Sequence, residues 1–373
     1  MKIIISGGGT GGHIYPALTL INKIKQNVHD CEFLYIGTDC GMESDIVPKA
    51  GIAFKTIDVQ GFRRALTVKN IKIMLKSFNS IFKSYQIIKE FKPDVVVGTG
   101  GYVCGPVLLA AALMKVPTLI QEQNVIPGIT NKILGKFVDA VAVGYQEAKQ
   151  YFSAKKVFFT GNPIRDEIMT AQKDVALKEL GLKEDKFTVV ISGGSRGARS
   201  INFAMLGVHK YFANNKKIQL LHITGKGDYN TIVDKLKIDL KIDEIDNIVI
   251  KPYLYEMPLG VASADLGIFR AGALGIAELM ARAVPAILIP YPYAAENHQE
   301  YNAKVIENSG AGIVVKDKEV TSGKLIGIIE SLFNDQESLL VMKQACVKIG
   351  KPNSSQLIAD LIIKLAKKER FSC

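Results

Sequence analysis

The chain has no tryptophan, and only five histidines and five cysteines among its 373 residues. The cysteines (Cys31, Cys40, Cys104, Cys346 and Cys373) are odd in number and scattered, and none forms a Cys-x-x-Cys pair. That excludes a disulfide framework and a zinc site as readings and favours a reducing compartment. No Asp-x-Asp occurs anywhere, and nothing else has the spacing of a divalent-metal site. Long apolar runs are also missing. Stretches such as 106–114 fall far short of the ~20 residues that span a bilayer. Met1-Lys2 leads directly into an apolar run, without signal-peptide anatomy. Acids are in deficit, 36 against 47 Lys plus Arg, for a formal charge of +11. Such a balance suits nucleic acid, anionic membrane or phosphorylated substrates and does not choose among them. The expectation is a cytosolic protein that can lie on a membrane surface.

A 48% hydrophobic, 22% charged composition excludes disordered and collagen-like classes. The length suits two domains. Short β-branched runs fall at 2–6, 32–36, 95–98, 118–121, 140–143 and 157–160. A second series falls at 188–192, 219–224, 248–251, 266–269, 286–289 and 312–315. Near-continuously apolar strands spaced by helical patterns predict parallel sheets covered on both faces, the doubly wound α/β class. Ile4-Ile5-Ser6-Gly7-Gly8 is echoed by Val190-Ile191-Ser192-Gly193-Gly194. The echo has two readings: two Rossmann-like domains, or two tight strand-to-helix turns of a common kind. Under the first, the domains are 1–163 and 164–353, with the boundary in the Gly- and Pro-containing stretch 160–165. A terminal helix in 354–373 would join the first domain.

Residues 7–12, Gly-Gly-Gly-Thr-Gly-Gly, match G-x-G-x-x-G formally, and Asp39 lies near the end of the second strand. An NAD-dependent dehydrogenase is therefore one reading. A P-loop would need Lys and Ser/Thr after the last glycine, where His13-Ile14 stand. His13 opens a helix, whose positive end disfavours imidazolium, so a neutral proton acceptor is one role. A ring that merely satisfies a loop backbone group is the other. Further loops follow strands at 100–106 (Gly-Gly-Tyr-Val-Cys-Gly-Pro) and 121–124 (Gln-Glu-Gln-Asn). Their convergence at one sheet edge suggests a hydroxyl-rich ligand. In the second half, 270–278 (Arg-Ala-Gly-Ala-Leu-Gly-Ile-Ala-Glu) joins strand to helix. Glu278 there either holds a ribose or is an ordinary helix-dipole glutamate. Without a metal motif, a diphosphate must be met by amides of 193–198 and by Arg165 and Arg270. Residues 61–92 hold eight Lys/Arg and one acid. On a helix over 68–89, Ile71, Met74, Leu75, Phe78, Ile81, Phe82, Tyr85 and Ile88 make one stripe. Lys69, Lys72, Lys76 and Lys83 lie roughly opposite. This is either a core helix with a solvated back or a surface for anionic lipid.

The ordered set 8–13, 100–106, 122–124, 161–165, 193–199, 270–274 with Glu278, and 297–299 resembles the MurG family nearly end to end. That resemblance implies a GT-B fold, two Rossmann-like domains facing across a cleft. It implies transfer of N-acetylglucosamine from UDP-N-acetylglucosamine to lipid I, giving lipid II, with inversion and without a metal. Donor-binding positions carried over are Thr10, Gly11, Gly12, Asn124, Arg165, Ser195, Leu254, Ala273, Leu274, Gly275, Ile276, Ala277, Glu278 and Gln299, beside Arg270. Acceptor-binding positions are Gly9, Gly101, Tyr102 and Asn124. His13 and Glu122 are the catalytic candidates, and Lys69, Lys72 and Lys76 the membrane face. The implied partners are the nucleotide sugar, the lipid-linked acceptor and an anionic membrane, with no nucleic acid and no cofactor. Gly275, Arg196, Cys104 and Gln121 stand where the family often has Thr, Gln, Ser and His. A dehydrogenase, or a UDP-sugar or lipid binder without activity, are the rival readings.

Overall fold

The computed structural model describes residues 1–59, 69–153 and 156–369, apart from the side chains of 69–78 and Asp243. It divides into two compact units, Met1–Ile164 with Asn353–Cys373, and Arg165–Pro352.

The first unit runs β1 (Lys2–Ser6), α1 (Gly11–Asn27), β2 (Glu32–Gly37), α2 (Glu43–Lys49), β3 (Ala53–Thr56), α3 (Lys69–Phe91), β4 (Val95–Gly98), α4 (Cys104–Leu113), β5 (Thr118–Glu122), α5 (Ile129–Leu134), β6 (Ala140–Val143) and β7 (Val157–Phe159). Its strands form one sheet in the order β3-β2-β1-β4-β5-β6-β7, with every neighbouring pair parallel. The second unit continues with α6 (Asp166–Thr170), α7 (Lys173–Leu180), β8 (Phe187–Ser192), α8 (Arg199–Phe212), β9 (Ile218–Ile223), α9 (Tyr229–Leu240), β10 (Ile248–Lys251), α10 (Met257–Ser263), β11 (Leu266–Arg270), α11 (Ala273–Ala281), β12 (Ala286–Ile289), α12 (His298–Asn308), β13 (Gly312–Val314), α13 (Ser322–Asn334) and α14 (Gln336–Ile349). Its sheet order is β10-β9-β8-β11-β12-β13, again parallel throughout.

Each expected apolar run forms a strand, because a strand buried on both faces must be apolar at every position. On β1, Ile3 and Ile5 enter one core cluster and Ile4 the cluster on the opposite face. β3 was not expected. Ala-Phe-Lys-Thr has no apolar run, and as an edge strand paired with β2 alone it stays half-exposed.

α15 (Ser354–Ala366) returns to the first unit. Ile358, Ala359, Ile362 and Leu365 are buried against Ile3, Ile5, Ile14 and Ile21. Its first turn is tied down by two serines. Ser354 Oγ donates to Asn162 O at 2.5 Å, while Ser355 Oγ accepts the Ile164 amide at 2.8 Å.

The expected stripe on α3 splits. Ile88 is buried and Ile81 half-buried, but Phe82 and Tyr85 are exposed. The inner face is completed by Ser80 and Ser84, whose hydroxyls donate to Asp58 O and Ser80 O. Small hydroxyls that bond the backbone can be buried where a large side chain has no room. The side chains of Ile71, Met74, Leu75 and Phe78, and those of Lys69, Lys72 and Lys76, lie outside the described residues.

Ile362 has no exposure and packs in the core cluster of the first unit. Ile362→Ala should cost about 2–5 kcal/mol, read as a lower denaturation midpoint at unchanged slope.

Candidate active site

In an open parallel sheet, ligands bind beyond the carboxyl ends of the strands, at the point where the strand order reverses. In the first unit that point lies between β1 and β4, so the loops 7–10 and 99–103 meet there. They interlock: the Gly8 amide donates to Gly100 O at 3.2 Å, and Thr99 Oγ1 donates to His13 O at 2.7 Å. Gly100 has φ +111, and a Cβ there would stand 2.6 Å from His13 Cδ2. Only glycine lets the second loop lie along the imidazole edge.

Thr10 is the N-cap residue of α1, and the amides of Gly11 and Gly12, in its first turn, have no intrahelical acceptor. His13 Nδ1 lies 2.9 Å from Gly8 O, with Thr10 Oγ1 farther away at 3.4 Å. A carbonyl can only accept, so Nδ1 carries the proton and Nε2 the lone pair in the neutral ring.

The turn is braced from below by Glu43, which is fully buried. Its Oε2 accepts the Gly9 amide at 3.0 Å. Its Oε1 accepts the Thr38 amide at 3.2 Å and hydroxyl at 2.7 Å. Burial would raise this carboxyl, but the bonds from Thr38 and the backbone amides outweigh it and hold it below the usual range.

One strand further on, Glu122 is buried and accepts four bonds. They come from the Asn124 amide at 2.9 Å and side chain at 3.3 Å, the Gly128 amide at 3.4 Å and Asn131 Nδ2 at 2.7 Å. Burial raises its carboxyl and these donors oppose the rise. Glu122, expected as catalytic, takes all four of these bonds from residues 124–131, a geometry that braces that loop. Behind it Gln123 Nε2 donates to Thr99 O at 2.7 Å, and Gln121 Nε2 to Asn162 Oδ1 at 3.1 Å. Tyr102 is 60% exposed at the rim.

In the second unit the strand order reverses between β8 and β11. The β8 turn carries Ser195, exposed. It rests on the β9 loop so closely that a Cβ on Gly197, at φ +77, would collide with Thr224 O. Asn202 Nδ2 donates to that same Thr224 O at 2.8 Å and to Asp228 Oδ2 at 2.9 Å. Its Oδ1 therefore accepts from His222 Nε2 at 3.1 Å, and His222 Nδ1 from His209 Nε2 at 3.0 Å. The chain ends on His209 Nδ1, buried without a partner among the described residues. Burial lowers His209 to about 3 and His222 well below its ordinary value, so both rings are neutral.

α11 begins at the same reversal point, with Gly272 as N-cap. The amides of Leu274 and Gly275 in its first turn have no intrahelical acceptor. Glu278 Oε1 takes both Arg165 Nε at 3.0 Å and an Arg165 terminal nitrogen at 2.9 Å. Burial raises the Glu278 carboxyl and Arg165 opposes this. Arg270, expected as a phosphate cation, is held inside. It donates to Ile289 O and Pro290 O at 3.2 Å, to Asp317 Oδ1 at 2.6 Å and to Ser200 Oγ at 2.9 Å. Its charge is met by Asp317, and it fixes the root of the loop leading to α12, whose second residue is Gln299. Gln299 Oε1 in turn accepts the Tyr291 amide at 2.9 Å.

Comparison with known proteins decides among the chemistries such loops allow. Residues 3–143 match the glycosyltransferase family 28 N-terminal domain and residues 188–361 the C-terminal domain of that family. A UDP-N-acetylglucosamine–N-acetylmuramyl-(pentapeptide) pyrophosphoryl-undecaprenol N-acetylglucosamine transferase of Desulforamulus reducens is 44% identical, covering 99% of this chain and 100% of that protein. The same-named protein of Halothermothrix orenii is 45% identical over 98% of this chain and 100% of its own length. A crystal structure of Acinetobacter baumannii MurG aligns with TM-score 0.77 at 28% identity, over 97% of this chain and 99% of that one. The chain belongs to the MurG family.

As in that family, both units are GT-B-type parallel α/β domains. A Neisseria meningitidis UDP-GlcNAc 2-epimerase bound to UDP-GlcNAc shares the fold, at TM-score 0.68 and 15% identity over 98% of this chain and 100% of that one. The dehydrogenase reading is set aside by these matches, and the site agrees: Asp39 is exposed, and the carboxylate of Glu43 fills the space over Gly8 and Gly41.

The structure brings Gly9, Thr10, Gly11, Gly12, His13, Gly101 and Tyr102 to one reversal point, and Ser195 with Ala273 to Glu278 to the other. Leu254 lies on the loop after β10, its Cδ2 2.8 Å from where a Gly260 Cβ would stand. Residues missed from the sequence are Glu43, Asn202, His222 and Asp317. For Glu43 one signal existed, an acid just past the second strand, four residues beyond Asp39. For the others none did.

Because its folded value is depressed, Glu43 adds stability that is complete above the unfolded carboxyl value of ~4.3. That stability is lost as pH falls through the lower folded value. Glu43→Gln should thus lose stability relative to wild type at pH 7, by about 1–3 kcal/mol. The gap should close towards strongly acid pH, as read by denaturant titrations across that range.

Proposed function

We propose that this chain transfers N-acetylglucosamine from UDP-N-acetylglucosamine to the 4-hydroxyl of lipid I, giving lipid II, in one inverting displacement. The near-full-length identity to transferases of that name carries the reading. In it, His13 Nε2 takes the hydroxyl proton while Gly8 O holds Nδ1–H in place. The acceptor's diphosphate lies against the bare backbone of Gly9 and Gly101, beside Tyr102 and Asn124. Glu122 acts as a positioning residue for Asn124.

The second unit holds the donor. Amides of the β8 turn with Ser195, and those of Leu274 and Gly275 at the start of α11, meet the departing diphosphate. Glu278 Oε2 accepts the ribose hydroxyls. Arg165 on Oε1 keeps that carboxylate charged in its buried place. Leu254 and Gln299 belong to the same donor set, and Thr10, Gly11 and Gly12 are the donor positions that the family resemblance gives in the first unit.

The acceptor is lipid-linked, so we place the enzyme on the cytoplasmic face of the membrane. Among the described residues no helix is long and apolar enough to cross a bilayer. Phe82 and Tyr85 on α3 are 59% and 42% exposed, Leu113 at the end of the adjoining α4 is 71% exposed, and Lys83 and Lys89 stand out nearby. Exposed apolar side chains among cations suit an anionic lipid surface.

Radiolabel should pass from UDP-N-acetylglucosamine to a short-chain lipid I analogue, with UDP release unaffected by EDTA. His13→Ala should lower kcat about 100-fold or more with donor KM little changed. Absence of transfer under every lipid condition refutes the reading, and near-normal turnover of the variant refutes the base. In sedimentation with anionic liposomes, Phe82→Ser with Lys69, Lys72 and Lys76 changed to Glu should stay in the supernatant. Co-pelleting equal to wild type would remove this face from the membrane.

A further inference from the structure

We propose that Glu43 is a positioning residue for His13, acting through the single peptide group that joins Gly8 to Gly9. The inference rests on the reading of His13 as proton acceptor. The N–H of that peptide group belongs to Gly9 and donates to Glu43 Oε2 at 3.0 Å. Its C=O belongs to Gly8 and accepts from His13 Nδ1 at 2.9 Å. Carboxylate, amide and imidazole thus form one line, with a planar, resonance-coupled group in the middle.

An anion on the N–H draws the amide's electrons towards its oxygen, which strengthens the bond that oxygen accepts. Chains of hydrogen bonds in a low-dielectric interior reinforce each other in this way, by about 10–30% per bond. Two consequences follow for His13. Nδ1 keeps its proton, so the lone pair stays on Nε2. When Nε2 takes the acceptor's proton, the imidazolium faces a carbonyl oxygen backed by a full negative charge. In the displacement, the acceptor oxygen bonds to the sugar's anomeric carbon as the bond from that carbon to the diphosphate oxygen breaks. UDP leaves with the electron pair, and the proton rests on Nε2.

The relay is held on every side. The Gly8 amide is fastened to Gly100 O, and Thr99 Oγ1 holds the first turn of α1 at His13 O. Among the described residues, titratable groups bonded to the turn from other elements are Tyr35, which donates to Gly7 O at 2.8 Å, and Cys104, which donates to Ser6 O and Gly100 O at 3.0 Å. Burial pushes Tyr35 well above its ordinary value and Cys104 up to about 12, so both stay neutral through the working range. Thr10 Oγ1 and the hydroxyl of Thr38 carry no charge. Of the groups bonded to the relay here, Glu43 carries the charge.

A brace for a glycine turn would affect stability alone, whereas a relay also sets the state of the ring. The test is 15N NMR of the imidazole nitrogens, with the His13 signals assigned by their loss in His13→Gln. Wild type should show the Nδ1–H tautomer. In Glu43→Gln the Nε2–H form should gain population, and the His13 titration should move to lower pH. With both substrates saturating, kcat should fall on the order of tenfold, with the acid limb of its profile moved the same way and donor KM unchanged. If Glu43→Gln folds and the His13 tautomer, titration and acid limb all match wild type, the relay is refuted. Should that variant not fold, Thr38→Val decides. It removes the 2.7 Å bond that steadies the carboxylate and should move the His13 signals the same way, less far. Unmoved signals there refute the relay equally. The NMR arm needs no substrate, so a chain that failed to transfer sugar would overturn the proposed function and leave the relay to be judged by the ring.

Discussion

Glycine turns at the ends of parallel strands are the means by which this chain brings bare backbone to a ligand, and left alone they are the least ordered parts of a fold. The structure answers that constraint with carboxylates behind the loops, two of them buried and one half-buried. Glu43 takes the amide of the first turn, Glu122 gathers the loop after β5, and Asp317 holds the loop after β12 through Arg270. In each case an anion fixes a loop, through charge-assisted bonds to backbone for Glu43 and Glu122 and by way of the Arg270 guanidinium for Asp317.

The arginines illustrate the same economy of charge. Arg270 and Arg165 both reach carboxylates of their own unit. In the proposed chemistry the diphosphate is therefore met chiefly by amides and helix N-termini, whose partial charges are fixed before the ligand arrives and need no reorganisation. Behind the second turn, the chain from His209 through His222 to Asn202 fixes which way each group donates. One orphan nitrogen at its blind end is the cost of that direction.

Much of this was legible in the primary structure. The strands were readable because a sheet covered on both faces must be apolar throughout, and β3 escaped because an edge strand need not be. The glycine turns and His13 were readable because their spacing follows local geometry. The partners of Arg270 and Glu122 were not readable. A charged residue beside a ligand loop looks the same whether it faces the ligand or the loop, and the deciding partners, Asp317 for one and Asn131 for the other, lie 47 and 9 residues away. Over the described end of α3, serines took inner positions while Phe82 and Tyr85 of the expected stripe stayed exposed.

What the sequence by itself determined is the pair of parallel sheets, the turns at their strand ends and the family to which they belong. These rest on periodicity and on motifs in fixed order, which a linear string records. Only the tertiary structure decided which atom each functional group addresses: that His13 turns Nδ1 to Gly8, that Gly9 turns its amide to Glu43, and that Arg270 turns inward. The last two join residues 34 and 47 apart in the chain, and in all three a hydrogen bond is set by distance and direction, not by the kinds of residue present.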